Sequence, residues 1–298
     1  MDTKTGMNRQ WFCRNIAFRY TNGIVIDLQF PATETLLATG VAVKSYALLL
    51  ALLFVSPTGY LFAQDGTDVY EAKTFHAKNG KTIPYRQYIP KNMDPKKKYP
   101  LVIFFHGAGE RGTDNVKVLQ WGLLPLHAYL KANQLDAIVI APQCALKEQW
   151  VDTPWALPSH TMPEKPSGQM SLSIGLLKST AKNLPVDKNR IYATGLSMGG
   201  FGVWDIVQRM PNYFAAAMPV CGGGDTAQAK QFLDVPVWVF HGSKDTVVIP
   251  KRSRDMIAAI NSAGGNAKLT EFPVGHASWK PAYNTPAHWD WLFQQKKK

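Results

Sequence analysis

The chain has 298 residues, of which 46% are hydrophobic, and a formal net charge of +12 at pH 7. This length and apolar content are sufficient for one sizeable core, and no internal repeat or low-complexity linker divides residues 64–298. No Lys/Arg-rich run contains interleaved aromatic residues, so the sequence gives no support for a nucleic-acid partner. We expect the short basic runs at residues 96–98 and 296–298 to be solvated surface.

An apolar run at residues 46–55 follows Lys44 and ends at a helix-breaking Ser-Pro-Thr-Gly sequence. A positive residue, about ten apolar residues and small residues at the exit are typical of a secretory signal peptide, whereas a membrane span takes about 20 apolar residues. We therefore interpret residues 41–63 as a signal peptide, with an uncleaved anchor as the alternative. The prediction is a secreted or periplasmic protein that keeps no stable membrane anchor after cleavage. Residues 1–40 lack sustained periodicity, and we interpret them as a start-site artefact or an unstructured segment.

The first elements after the signal peptide are two predicted strands, residues 69–77 and 82–89, joined at an Asn-Gly turn that favours an antiparallel hairpin. Residues 101–105 are continuously apolar, as in a strand buried on both faces of a parallel sheet. The strands predicted beyond them are 137–141, 190–194, 214–220, 235–240 and 267–272, and the predicted helices are 123–133, 169–183, 199–209, 252–263 and 286–294. This alternation predicts a single α/β domain over residues 64–298, with a doubly wound, mostly parallel sheet and an N-terminal antiparallel hairpin.

The strongest chemical motif is Gly-Leu-Ser-Met-Gly at residues 195–199, which matches G-x-S-x-G between a short apolar strand and a predicted helix. In that context Ser197 lies on a sharp turn at the carboxyl end of a strand, where the chemistry of a doubly wound sheet is found. A serine hydroxyl needs a base to take its proton during attack. The motif therefore predicts a nucleophile and requires a histidine and an acid elsewhere in the chain.

Asp245 and His276 supply the two missing groups in the chain order Ser, Asp, His. Each follows a predicted strand, so both are expected at the sheet edge that carries Ser197. In this prediction His276 takes the proton from the serine, and Asp245 orients the imidazole. Asp225 is the rival acid, and His241 is expected to support the Asp245 loop by hydrogen bonding.

The Gly-rich segment at residues 106–112, His-Gly-Ala-Gly-Glu-Arg-Gly, follows the buried strand 101–105. An oxyanion hole in this type of fold takes one N–H from the residue after the nucleophile and one from such a loop. We assign these donors to Met198 and Ala108, with Gly109 as the neighbouring alternative. An ordinary turn between a strand and a helix is the structural alternative for the loop.

Substrate contacts are expected from Gly109 and Glu110 of that loop, and from Trp150 and Trp155 in a segment rich in Pro and Trp. Aromatic faces at such positions pack against sugar rings or aryl groups, and a hydrophobic plug over the sheet is the equal alternative. Trp279 and Trp289 are both expected to anchor the last helix. No group of His, Cys and Asp has metal-ligand spacing and no phosphate-cradling loop is present, so neither a metal nor another cofactor is expected.

The two cysteines of the predicted domain, Cys144 and Cys221, each follow a predicted strand. In the usual strand order two other strands separate them, a distance of about 14 Å at about 4.8 Å per strand. A disulfide requires Cα atoms within about 7 Å. We therefore expect two unpaired thiols.

Six segments occur in order through residues 70–295: His-Gly-Ala-Gly-Glu-Arg-Gly, Ala-Pro-Gln-Cys, Gly-Leu-Ser-Met-Gly-Gly, Cys-Gly-Gly-Gly-Asp, His-Gly-Ser-Lys-Asp and Gly-His-Ala-Ser-Trp. In them the chain resembles secreted bacterial esterases of the predicted peptidase and phospholipase–carboxylesterase-like group, related to feruloyl esterases and polyhydroxybutyrate depolymerases. The resemblance implies an α/β-hydrolase fold, a Ser197–His276–Asp245 triad and hydrolysis of carboxylic esters without a cofactor. Dienelactone hydrolases also resemble this fold, but they use Cys where this chain has Ser197.

Three functions are compatible with these residues. The first is a secreted serine esterase that acts through an acyl-enzyme on a small-molecule or polysaccharide-linked ester, with feruloyl or acetyl groups on polysaccharides as the favoured substrates. The second is a small serine peptidase of the prolyl-oligopeptidase-like type, for which no amine-binding subsite can be identified in the sequence. The third is a non-catalytic binding protein that keeps the hydrolase fold.

Overall fold

The computed structural model describes residues 66–297 and, for the backbone alone, two strands nearer the N-terminus, β1 (Ile16–Arg19) and β2 (Val25–Leu28). β1 and β2 pair antiparallel. The chain divides into two compact units, Met1–Gly59 and Tyr60–Lys298. The interpretation of residues 41–63 as a signal peptide, and that of residues 1–40 apart from the two strands, falls outside the described residues.

The second unit contains a mixed sheet of eight strands in the described residues, with the spatial order β10-β9-β8-β7-β5-β6-β4-β3. β3 pairs antiparallel with β4, and β4 pairs antiparallel with β6, whereas all other neighbours are parallel. The predicted hairpin and the mostly parallel sheet are therefore confirmed. The strands are β3 (Glu71–His76), β4 (Thr82–Tyr88), β5 (Tyr99–Phe105), β6 (Ile138–Pro142), β7 (Val186–Leu196), β8 (Ala216–Val220), β9 (Val237–Gly242) and β10 (Ala267–Phe272).

Helices cover both faces of this sheet, which explains why the central strands are continuously apolar. Leu101, Ile103 and Phe105 of β5 join a core with α2, α3 and α4, and Val102 and Phe104 join another with α1, α5 and α6. None of the helices within residues 66–297 is long and apolar enough to span a bilayer. The helices are α1 (Leu123–Ala132), α2 (Gly168–Asn183), α3 (Met198–Arg209), α4 (Lys251–Ser262), α5 (Trp279–Asn284) and α6 (Pro286–Gln294).

The structure differs from the predicted elements at several ends and by one additional helix. β7 begins at Val186 rather than at residue 190, because its first residues pair with the start of β5. β8 begins at Ala216 rather than at residue 214, because a short 3₁₀ helix, Pro211–Tyr213, turns the chain before it. α5 was not predicted at all, and it follows the His276 loop directly.

Gly199 allows α3 to start against the carboxyl end of β5. A Cβ atom at this position would lie 2.0 Å from the carbonyl oxygen of Phe105 and 2.7 Å from that of His106. Because the obstructing atoms are backbone, we expect Gly199→Ala to lower the free energy of unfolding by about 3 kcal/mol, as measured by urea denaturation. Gly109→Ala is the matched control, since nothing lies within 4 Å of its Cβ position. Equal stability of the two variants would contradict this account of the contact.

Candidate active site

Ser197 is the single residue between the end of β7 and the start of α3. Its φ of 53° and ψ of −120° are a conformation that non-glycine residues rarely adopt. Its N–H donates to the carbonyl of Val220 at 2.9 Å, which holds the turn against β8. Such strain persists only where the surroundings impose it, and it costs about 1–3 kcal/mol. The turn therefore has the geometry of the predicted nucleophile position.

Ser197, His276 and Asp245 lie in hydrogen-bonding contact. The Ser197 Oγ lies 2.8 Å from His276 Nε2, and His276 Nδ1 lies 2.7 Å from Asp245 Oδ2. Asp245 follows β9 and His276 follows β10, so the carboxyl ends of neighbouring strands place both beside the serine. The imidazole is thus positioned to exchange a proton with the hydroxyl while the carboxylate holds its other nitrogen.

The carboxylate of Asp245 is held in its charged form by hydrogen bonds. Burial alone would raise its pKa, but hydrogen bonds from His241, His276 and the N–H groups of Val248 and Val247 outweigh burial and hold the pKa well below its usual range. The two backbone N–H groups donate to Oδ1 at 3.0 and 2.9 Å. A buried, fully ionised carboxylate at this point stabilises positive charge on His276.

The rival acid Asp225 makes no hydrogen bond or ion pair with His276 among the described residues. Its carboxylate accepts from the N–H groups of Met162 and Ala227, at 2.9 and 3.0 Å. His241 has the supporting contact expected of it: its Nε2 lies 2.8 Å from the Val248 carbonyl oxygen and 3.2 Å from Asp245 Oδ2. Asp225 thus fixes a surface loop, and His241 fixes the Asp245 loop.

The two predicted oxyanion donors, Ala108 and Met198, each lie at the start of a helix that follows a central strand. Ala108 begins a short 3₁₀ helix, Ala108–Glu110, after β5, and Met198 is the first residue of α3. Among the described residues, neither N–H takes part in a backbone hydrogen bond outside the helices and strands. The first N–H groups of a helix have no partner within it, which leaves them available to a developing negative charge.

His106 anchors the loop that carries Ala108. Its Nδ1 lies 2.6 Å from the Gly107 carbonyl oxygen, and its Nε2 accepts from the N–H of Cys144 at 2.9 Å. Burial lowers the pKa of His106 to about 4. The folded protein therefore holds this ring neutral, with one hydrogen on Nδ1.

This buried histidine predicts loss of stability in acid. In the unfolded chain the ring binds a proton below pH of about 6.5, whereas in the folded protein it does so only below about 4, so unfolding takes up a proton between these values. The contribution of the neutral His106 ring to the free energy of unfolding is fully present above the unfolded pKa, and about 3 kcal/mol is lost as the pH falls through this window. Urea denaturation at pH 7 and pH 4.5 should show the fall, and His106→Gln should reduce it. An unchanged pH dependence in the variant would assign the effect to other groups.

A cleft of about 310 Å³ opens beside Ser197 and His276. Of the predicted substrate contacts, Gly109, Glu110 and Trp155 line it. Trp150 does not, which corrects that prediction: the ring is fully buried, packs against Phe105 and His106, and donates from Nε1 to the His106 carbonyl at 3.0 Å. The Trp150 ring is therefore packed and hydrogen-bonded inside the protein, as in the alternative prediction of a hydrophobic plug over the sheet.

The cleft has two further walls that the sequence did not indicate, Val247 and Trp279. Trp279 was expected to anchor the last helix, but its ring lies edge-on to the His276 ring, with the centroids 5.3 Å apart. One sequence signal could have indicated this contact. Trp279 follows the predicted base His276 by only three residues, at the start of α5. Trp289 has the anchoring position, fully buried with Nε1 donating to the Tyr283 carbonyl.

Glu110 is a buried residue at the end of the short 3₁₀ helix that begins at Ala108. Its Oε2 atom is inaccessible to solvent and has no hydrogen-bond partner among the described residues. Burial raises the pKa of this carboxyl, although the nearby N–H groups of Gly107 and Glu110 act in the opposite direction. Burial thus makes a negative charge less favourable here, beside the predicted oxyanion donors, than on an exposed glutamate.

Both cysteines of the described region are free and buried, as expected. The Cys221 Sγ lies within 4.8 Å of ligand-type atoms of Asp245 and His276, a set that in principle suits a metal ion. Burial raises the pKa of the Cys221 thiol to about 12, and a protonated thiol is a poor ligand. Because Asp245 and His276 bond each other, we interpret the thiol as packing beneath this pair.

The sheet order, with a serine, a histidine and a carboxylate at the carboxyl ends of its strands, is that of the α/β-hydrolase fold. The model of the dienelactone hydrolase family matches residues 163–289, which include all three groups. Among solved structures, the chain is similar to a thermostable esterase, with 36% sequence identity and a TM-score of 0.71. The match covers 77% of this chain and 64% of the esterase, so the chain spans less than two thirds of that protein.

More distant structures share the fold. One is the feruloyl esterase module from Clostridium thermocellum, with a TM-score of 0.56, 15% identity, and coverage of 76% of this chain and 88% of the module. Another is the acylaminoacyl peptidase of Pyrococcus horikoshii, with a TM-score of 0.54, 14% identity, and coverage of 77% and 42%. No curated protein matches the chain significantly. The resemblance to the α/β-hydrolase esterase group is confirmed by these findings.

Proposed function

We propose that this protein is a serine esterase that hydrolyses carboxylic esters through an acyl-enzyme. The observation that carries the proposal is the chain of short contacts from Ser197 Oγ to His276 Nε2 and from His276 Nδ1 to Asp245 Oδ2, at 2.8 and 2.7 Å. The thermostable esterase at 36% identity supports the reaction class. The distant feruloyl esterases support the fold only.

In the first half-reaction, Ser197 Oγ attacks the ester carbonyl carbon while His276 Nε2 takes the hydroxyl proton. The carbonyl oxygen becomes an oxyanion, for which the N–H groups of Ala108 and Met198 are the donors, and each such donor contributes about 3–4 kcal/mol. The intermediate collapses to the acyl-enzyme. The alcohol leaves with the proton that His276 returns to it.

In the second half-reaction, water attacks the acyl carbonyl and gives its proton to His276. A second oxyanion forms at the same donors, and its collapse breaks the bond to Ser197 Oγ, which recovers a proton from the imidazole. The products are a carboxylic acid and the regenerated hydroxyl. Asp245 stays ionised throughout and stabilises the imidazolium, in keeping with its low pKa.

The apolar walls of the cleft, Trp155, Val247 and Trp279, favour acetyl, feruloyl or similar acyl groups. We propose that such groups are carried by polysaccharides outside the cell. The signal-peptide pattern of residues 41–63 supports export to the periplasm or the medium. N-terminal sequencing of the exported protein should find a start at Gln64, and a start at Met1 would contradict export by this signal.

The proposal is tested by labelling and by turnover. We expect a fluorophosphonate probe to attach to Ser197, as read by mass spectrometry of the peptide, and the protein to hydrolyse p-nitrophenyl acetate and butyrate and methyl ferulate. Hydrolysis of dipeptide anilides alone would replace the esterase with the peptidase alternative. Absence of both labelling and turnover would favour a non-catalytic binding protein.

A further inference from the structure

A second groove, of about 590 Å³, adjoins the catalytic cleft. Trp155 lines both spaces, so its half-buried indole is the wall that they share. Both volumes fall in the range of about 300–1,000 Å³ that is typical of small-molecule sites. Because the two spaces share this residue, we infer that a substrate held at Ser197 extends past Trp155 into the groove.

The groove differs from the cleft in its polar lining. Lys147 and Asp152 are exposed on its walls, and Gln149 is half-buried beside them. Within residues 66–297, neither Lys147 nor Asp152 takes part in an ion pair. An ammonium, a carboxylate and an amide are thus available to a ligand rather than to one another.

Arg111 adds a positioned guanidinium to this lining. Its Nε donates to the Ala108 carbonyl at 2.9 Å, and its Nη1 lies 3.3 Å from the Glu148 carbonyl oxygen. No hydrogen bond within the described residues uses Nη2. A guanidinium that is held through Nε and Nη1 can still donate from Nη2 to a carboxylate. Because Arg111 also holds Ala108, the groove is joined to the proposed oxyanion loop.

We propose that this groove binds an acidic sugar chain, the alcohol portion of a glycan ester whose acyl group occupies the apolar cleft. This inference rests on the proposed esterase function. The indole of Trp155 packs against a sugar ring, Asp152 accepts from its hydroxyl groups, and Arg111 and Lys147 face a uronate carboxylate. The groove lining has two cations, Arg111 and Lys147, and one anion, Asp152. Because charge complementarity sets the specificity of binding, this lining favours an acidic sugar chain over a neutral one.

Binding can be measured without turnover. The full-length Ser197→Ala protein is titrated calorimetrically with a xylo-oligosaccharide that carries one glucuronic acid, and with the neutral oligosaccharide of the same length. We expect the acidic oligosaccharide to bind about fivefold more tightly than the neutral one. This ratio corresponds to about 1 kcal/mol, which is typical of an exposed ion pair. Lys147→Gln should remove most of that preference. Lys182→Gln, a charge-matched change on α2, should leave it intact.

Absence of binding by either oligosaccharide, or equal affinity for the two, would overturn the assignment of the groove. Wild-type turnover of p-nitrophenyl acetate separates this result from the proposed function. Hydrolysis of that ester without oligosaccharide binding overturns the groove assignment alone. Oligosaccharide binding with the acidic preference but no hydrolysis of any ester supports the groove and contradicts the esterase.

Discussion

Ser197→Ala should lower kcat for p-nitrophenyl acetate by about 10⁴-fold or more, with KM little changed. The hydroxyl is the only group of the triad that bonds to the substrate, so its removal ends the acyl-enzyme route. The N–H donors and the cleft remain, and they leave a residual rate above that of water. Steady-state kinetics, with circular dichroism to confirm folding, provides the measurement.

The matched control is Ser171→Ala, an exposed serine on α2, which should retain full activity. Ser197→Ala with undiminished turnover would place the nucleophile elsewhere. Cys221 would then be the first residue to test, because its thiol lies within 4.8 Å of the Asp245 and His276 ligand atoms. Its pKa, raised to about 12 by burial, predicts that it is inert.

The sheet could be predicted because its signals are local. A run such as residues 101–105 is apolar at every position only where both faces are covered, and alternation with helical segments then requires parallel strands. The ends of elements were less predictable. The start of β7 depends on pairing between Val186 and Tyr99, residues far apart in the sequence, and no local pattern contains that information.

The reacting groups were predictable for a related reason. Parallel strands bring their carboxyl ends to one edge, so a Ser, an Asp and a His that each follow a strand are expected to meet there. The tryptophans were not predictable in this way. Trp150 and Trp155 lie five residues apart in one loop, yet Trp150 turns inward to donate to the His106 carbonyl, and Trp155 turns to the cleft. The direction of a loop side chain depends on distant partners, which the sequence of the loop does not reveal.

Asp245→Asn should lower kcat by about 10³–10⁴-fold near neutral pH while the fold is retained. Oδ1 of Asp245 accepts from the N–H groups of Val247 and Val248, and Oδ2 faces His276 Nδ1 and His241 Nε2. An asparagine would keep its oxygen at the two backbone donors, so its NH₂ would face the rings. His276 Nδ1 would then accept, its hydrogen would move to Nε2, and the ring could no longer take the proton of Ser197.

Asp225→Asn is the control that separates the two candidate acids. Its carboxylate bonds the N–H groups of Met162 and Ala227, so the change should lower stability slightly and leave kcat within about threefold of wild type, since no contact with His276 is lost. A large fall in kcat for Asp225→Asn, with Asp245→Asn active, would exchange their roles. Losses in both variants with normal unfolding curves would show that the loop at Met162 also shapes the cleft, which Trp155 of the same segment lines.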